Sequence, residues 1–396
     1  MNSAEDKKLE ALVAEIELPD GAYDKAVDRY EDLGRWLNRD GSSVKQHNPH
    51  ISPQGSFALG TAIYPLNPKE DYDLDLTCKL RDAVTRTSHS QFQVKEMVRH
   101  ELELYRMARN IQERLEEMHR CWRLHYKDSP GFHLDTVPGV PTENVRRVVL
   151  ERQMRAQGVP GHLLQELAAD AIWITDNRSP TYRVVSPDWL SSNPAGYLRW
   201  FQSRLLGPSL LAEAQAKIDA MPVYRRKTPL QKVVQLLKRH RDVMFEPLPD
   251  SKPISVIITT IAARHYRAGE GLAQTLATVL RALDDFRRSD SSEVLNPVNP
   301  EENFADKWTM TECAKHRLKQ NFHTWVEQVA EDFERFSRAT SGAQLASEAA
   351  TGLKVTPSSD RLAHAFGAVA LEAAPAVHTP PRVEIQQQPP RPWQKS

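Results

Sequence analysis

Two aspartates one residue apart, Asp73 and Asp75, stand in the run Asp71-Tyr72-Asp73-Leu74-Asp75-Leu76 of a 396-residue chain. In a strand, positions i and i+2 project from one face, so both carboxylates point the same way. Such a pair can hold two Mg²⁺ ions about 3.5–4 Å apart, the arrangement that serves in-line phosphoryl displacement. Upstream, Pro53-Gln54-Gly55-Ser56-Phe57-Ala58-Leu59-Gly60-Thr61-Ala62-Ile63 offers the other half of a nucleotide site. A glycine-serine pair opening a helix presents backbone N–H groups, a hydroxyl and a favourable dipole to a phosphate, and glycine lets the backbone come close. Neither piece is specific alone, because Gly-Ser pairs also make turns and Asp-x-Asp runs also line solvated faces.

Together, with Asp73 standing 17 positions after Ser56, the two pieces resemble the hG[GS]…DhDh signature of the polymerase-β-like nucleotidyltransferases. That resemblance calls for a third carboxylate on a later strand, and Gly131-Phe132-His133-Leu134-Asp135-Thr136-Val137-Pro138 supplies Asp135. Over roughly residues 5 to 340 the chain resembles the bacterial cyclic-oligonucleotide synthases related to cyclic GMP-AMP synthase and oligoadenylate synthase, the CD-NTase family of anti-phage signalling. Three further runs carry the likeness: Ser192-Asn193-Pro194-Ala195-Gly196-Tyr197-Leu198-Arg199-Trp200-Phe201, Leu230 to Asp242 around Leu236-Leu237-Lys238, and Lys252-Pro253-Ile254-Ser255 through Thr260.

The resemblance implies a site and a reaction. Asp73 and Asp75 would hold two Mg²⁺ ions, with Mn²⁺ as a substitute, and Asp135 would bind the ion that activates the attacking ribose hydroxyl. Gln54, Gly55, Ser56, Lys238 and Ser255 would bind the triphosphate of ATP or GTP. The hydroxyl of one nucleotide would attack the α-phosphate of the next with loss of pyrophosphate, and a second round would close a cyclic di- or trinucleotide. The resemblance also implies accessory conjugation proteins acting on the C-terminus. A lysine gives phosphate oxygens a compact charge, and a serine at a helix start can donate beside free N–H groups. Each residue also has a plainer reading: Lys238 on a solvated basic face with Arg239 and Arg241, Ser255 as a helix cap, Tyr182 and Tyr197 as core aromatics rather than base-stacking rings, and His133 as an ordinary strand histidine.

The elements that must position these residues follow from hydrophobic periodicity. Leu9, Leu12, Val13 and Ile16, then Ala26, Tyr30, Leu33, Trp36 and Leu37, predict two amphipathic helices broken near Pro19-Asp20-Gly21. A short helix over 57–63, a strand over 72–80, a helix over 91–119 and a strand over 131–137 complete an α+β core. Helical patterns at 194–220, 228–245, 253–268, 271–288 and 315–339 predict a helical second domain. With the resemblance, these elements imply a nucleotidyltransferase core with N-terminal helices over 1–185, a helical domain over 186–340 that completes the cleft, and a mostly disordered tail over 341–396. The tail's Ala, Ser and Pro content predicts disorder, relieved by one short helix near 359–371.

Composition narrows the partners. Lysine plus arginine number 52, as do aspartate plus glutamate, so no global field draws the chain to nucleic acid or to anionic lipid. The three cysteines, Cys78, Cys121 and Cys313, are too scattered for a disulfide framework or a zinc module, which predicts structural thiols in a reducing, cytoplasmic setting and no duplex-DNA activator. No apolar run reaches the ~20 residues that span a bilayer. Other readings of the same core are a template-free polymerase or tRNA-tailing enzyme, an antibiotic- or protein-modifying transferase, and a non-catalytic nucleotide-binding sensor scaffold. The lack of a basic stripe weighs against the first, and the presence of all three carboxylates against the last.

Overall fold

The structure, a computed structural model, describes residues 3–67, 70–127, 131–205 and 226–367. Its centre is a seven-stranded mixed sheet. The main path runs β1 (Pro49–Gln54), β2 (Tyr72–Leu80), β5 (Phe132–Pro141), β4 (Trp122–Tyr126) and β3 (Glu116–Glu117), while β6 (Ile172–Ile174) pairs with the far end of β5 and with β7 (Leu190–Ser192). Among the described strands of the sheet only β2 and β5 run parallel, joined through helix α4 (Gln91–Ala108) and the β3–β4 hairpin.

Alternation explains why β2 and β5 form where they do. Tyr72, Leu74, Leu76, Phe132 and Leu134 are buried on one side, against α2 (Asp20–Leu37) and α4. The odd-numbered residues face the other side, which is where the carboxylates lie. Helix α4 begins at Ser90, whose hydroxyl accepts from Gln93 N–H while the Gln93 side chain returns to Ser90 N–H. It stops at Ala108 rather than near 119, because the chain turns back there into the β3–β4 hairpin, where Trp122 and Leu124 alternate into the same core.

The helical portion comprises α7 (Pro194–Leu205), α8 (Pro229–Met244), α9 (Ser255–His265), α10 (Leu272–Arg288) and α11 (Leu318–Arg338). Residues 206–220 of the first expected helix lie outside the described residues. The hydrophobic clusters do not divide at residue 185. Leu9, Leu12, Val13 and Ile16 of α1 (Ala4–Ile16), with Leu150 and Met154 of α5 (Asn144–Ala156) and Leu164 and Leu167 of α6 (Leu164–Ala169), pack into the helical cluster, whereas α2 packs on the sheet.

The stretch expected as a tail is described as far as residue 367, and its second helix falls where a short helix was expected, near 359–371. Gly342–Gly352 and Ser359–Phe366 form helices α12 and α13, with Leu345, Ala349, Leu353 and Leu362 buried in the helical cluster. Composition averaged over 341–396 hides this local apolar spacing, which is enough to bury one face of each helix. The rest of that expectation, from 368 onward, falls outside the described residues. Cys78 and Cys121 are buried free thiols and Cys313 is half-buried and free.

Candidate functional site

Strand register assembles the site. In one row across the sheet Gln54 of β1 faces Asp75 of β2, Asp75 faces Asp135 of β5, and Asp135 faces Arg123 of β4. Two residues along, Asp73 faces His133, and His133 faces His125. Period-two alternation puts both rows on one face. The three aspartates expected from the sequence are therefore brought together, with Asp73 at the rim, its side chain 61% exposed, and Asp135 nearly buried.

Like charges packed this closely resist ionisation. Burial, then the charges of Asp73 and Asp135, push the Asp75 carboxyl up to about 7. Asp73 is shifted the opposite way, chiefly by its hydrogen bond with His133, whose own imidazole is raised by the same bond. Part of the negative charge is answered by Arg123, whose Nε and Nη2 donate to the two Asp135 oxygens at 2.7 and 2.8 Å and whose Nη2 lies 3.9 Å from Asp73. Arg123 was not singled out in the sequence. The alternation of Trp122 and Leu124 with Arg123 and His125 is the signal that could have found it.

Gly55 links the carboxylates to the turn expected to bind phosphate. Its φ is +69°, a left-handed conformation suited to glycine, and a Cβ there would lie 2.1 Å from Asp75 Oδ2. Helix α3 (Gly55–Leu59) starts at this residue rather than at 57, and Thr61 N–H closes it on the Ser56 carbonyl. The first amides of such a turn have no partner inside the helix.

Beside α3 lies a cavity of about 220 Å³ whose wall includes Gln54, Gly55, Ser56, Lys238, Ser255 and Tyr197. All five phosphate-binding candidates thus meet at one place, although 200 residues separate the ends of the set. Lys238 is not on a solvated face. It is 8% exposed, and its Nζ donates to the Thr61 carbonyl at 2.8 Å. Burial, then Arg241, pulls its ammonium down to about 8. The neighbouring Arg239 and Arg241 are buried too, donating to the carbonyls of Tyr64 and Pro253. Ser255 is the first residue of α9. Tyr197 reaches the cavity but is otherwise core, its hydroxyl 2.8 Å from Thr260 Oγ1. Tyr182 packs edge-on against Phe92 and does not line the cavity.

The lining also includes Asn296, Glu302 and Phe304 from the β8 (Leu295–Asn296) and β9 (Asn299–Asn303) hairpin and the residue after it. Asn296 Nδ2 donates to Glu302 Oε2 at 2.7 Å, and burial raises the Glu302 carboxyl. Glu302 is not marked in the sequence, since nothing local distinguishes one glutamate of Pro300-Glu301-Glu302-Asn303 from the other.

Comparison with known proteins fits this geometry. Residues 49–138, the stretch from β1 to the Asp135 strand, match the family model described as the nucleotidyltransferase domain of cyclic GMP-AMP synthase DncV-like proteins. A c-di-GMP synthase of Roseivirga ehrenbergii is 27% identical over 340 residues, covering 84% of this chain and 79% of that protein. Cyclic dinucleotide synthase CdnG of Bradyrhizobium diazoefficiens is 26% identical over 335 residues, covering 81% and 74% respectively. The fold matches the structure of that CdnG in complex with GTP at a TM-score of 0.63, 20% identity and coverage of 93% of this chain and 99% of the other. It also matches Vibrio cholerae DncV at a TM-score of 0.55 and 12% identity, covering 91% and 99%. In its mixed sheet, its carboxylate face and these similarities, the chain is similar to the CD-NTase nucleotidyltransferases, and the family model itself covers residues 49–138.

Proposed function

We propose that the chain joins nucleoside triphosphates into a cyclic dinucleotide, with GTP as a substrate, and releases pyrophosphate. The observation that carries this reading is the row Gln54, Asp75, Asp135, set edge to edge with a cavity that gathers Ser56, Lys238 and Ser255. The carboxylate face fits divalent cations, since it holds three acids, with Asp73 and Asp135 beside an Asp75 carboxyl raised to about 7. Asp73, Asp75 and Asp135 would hold two Mg²⁺ ions, or Mn²⁺, whose charge would stabilise the reacting phosphate and the attacking ribose oxygen.

The protein's own groups do the positioning. The Gly55–Ser56 turn and the Ser255 end of α9 direct N–H and hydroxyl donors at phosphate oxygens, and Lys238 adds a cation already held in place by Thr61. Its lowered proton affinity rises once phosphate charge is adjacent. Glu302, as a carboxylate, can accept together from the N1–H and N2 amino group of guanine, whereas adenine presents an acceptor at N1. The named relatives support the same substrate: one is a c-di-GMP synthase and another was solved with GTP.

The role in anti-phage signalling and the accessory conjugation proteins belong to this same proposal. A structural neighbour, E. coli CdnC, is solved in complex with HORMA-deltaN, so a protein of this fold can carry a protein partner. No helix among the described residues is long and apolar enough to cross a membrane, in keeping with a cytoplasmic site of action. Incubation with Mg²⁺ and all four NTPs, phosphatase treatment and mass spectrometry test the product. A phosphatase-resistant cyclic dinucleotide containing guanine is expected without added DNA or RNA, and reduced guanine incorporation by Glu302→Gln. A ladder of linear products would favour the tailing enzyme, and no pyrophosphate release from any NTP the scaffold.

A further inference from the structure

On the same face of the sheet, at its rim and using none of the three aspartates, lies a second group of metal-ligating side chains: Asp71, His125 and His133. We infer that these three form a binding site for one transition-metal ion of the zinc class. One ligand atom from each lies within 4.8 Å of the other two. His133 Nε2 is 2.8 Å from Asp71 Oδ2, and the rings of His125 and His133 stand edge to face with centroids 4.6 Å apart. Zinc bonds of about 2.0–2.2 Å separate neighbouring ligand atoms by roughly 3.3 Å in a tetrahedron, so closure asks for side-chain shifts on the order of 1 Å.

The sheet builds this arrangement deliberately. His125 and His133 are cross-strand partners on β4 and β5. Asp71 precedes β2, where Tyr72 N–H bonds the Gly131 carbonyl. Its carboxylate lies over Gly131, where a Cβ would come within 1.9 Å of Asp71 Oδ1, so the absence of a side chain at 131 makes the room. The three side chains are 24–28% exposed, sheltered yet reachable by an ion. Two imidazoles and one carboxylate, with a position left open, suit Zn²⁺ or Co²⁺ far better than Mg²⁺, which takes oxygen ligands. Glu116, 3.0 Å from His125 Nε2, supplies either the fourth donor or the carboxylate that orients that ring.

The position has a consequence for the neighbouring site. His133 faces Asp71 through Nε2 and Asp73 through Nδ1, 3.5 Å from Asp73 Oδ1. An ion on Nε2 fixes the proton on Nδ1, aimed at Asp73, so His133 becomes a positioning residue for a carboxylate of the reaction face.

Calorimetric titration of Zn²⁺ into the full chain, in the presence of Mg²⁺, tests the site, with Co²⁺ absorption as the spectroscopic signature of imidazole ligation. One equivalent is expected in the wild type and in Asp75→Asn. His125→Ala and Asp71→Asn should weaken it by at least about 10-fold, the loss that even an outer-shell partner brings, and abolish the visible Co²⁺ bands. Metal-free melting temperatures establish that each variant is folded. Unchanged zinc uptake in folded His125→Ala, no uptake by the folded wild type, or loss of uptake in Asp75→Asn with His125→Ala unaffected would each overturn the inference. None of these outcomes depends on whether the product is cyclic.

Discussion

At the scale of single residues, the account turns on Asp75. A carboxyl raised to about 7 in the folded chain and near 3.9 when unfolded binds more protons folded than unfolded between those values. The metal-free protein should therefore lose stability through this group as pH rises from about 4 to about 7. Bound divalent cations reverse the preference by favouring the ionised form. Thermal melts over that pH range, with and without Mn²⁺, check the sign: cation stabilisation should grow as pH rises, and metal-free Asp75→Asn should show a flatter profile than the wild type. Asp73 contributes with the opposite sign, since its depressed carboxyl favours folding above the unfolded value and loses that contribution on acidification. A melting profile indifferent to both cation and Asp75→Asn would separate the raised carboxyl from the metal face.

At the scale of elements, Gly55 is the joint between β1 and α3, and its substitution is the sharpest structural test. Alanine there adopts an unfavourable φ and meets the Asp75 carboxylate at 2.1 Å. A cost of about 1–3 kcal/mol for the backbone alone should appear as a lowered melting temperature, together with loss of pyrophosphate release. Much of this joint was legible in the sequence. The strands at 72 and 131 declare themselves by alternation, and the Gly-Ser turn by its residue types, because these signals are local. The Arg123 strand was lost because a hairpin that starts inside an apparent 91–119 helical pattern and returns over Trp122–Tyr126 is decided by packing of Trp122 and Leu124 on a distant core. Glu302 was invisible for a similar reason: only the β8–β9 hairpin, folded back on α7 and the cavity, gives that carboxylate a role. Lys238 came from family likeness, and its burial, which decides against a solvated basic face, is a tertiary fact that a charge run cannot show.

At the scale of the whole molecule, the two hydrophobic clusters interleave along the chain, with α1 crossing to the helical side and α12 and α13 closing over it. Removing everything from 341 should therefore destabilise the protein, and Leu353→Ala, at a fully buried position, should cost about 2–5 kcal/mol in chemical denaturation. Truncation at about 375 should leave purified activity unchanged, and a loss there would make the last residues part of the working fold. The claim that unites all three scales is that one row of carboxylates, continued into a lysine- and serine-lined cavity, transfers nucleotidyl groups. Pyrophosphate release from GTP with Mg²⁺, measured side by side for the wild type and for Asp75→Asn shown by melting to be folded, tests it most directly. The account predicts steady release by the wild type and none above background from the variant; near-normal turnover in Asp75→Asn would contradict it.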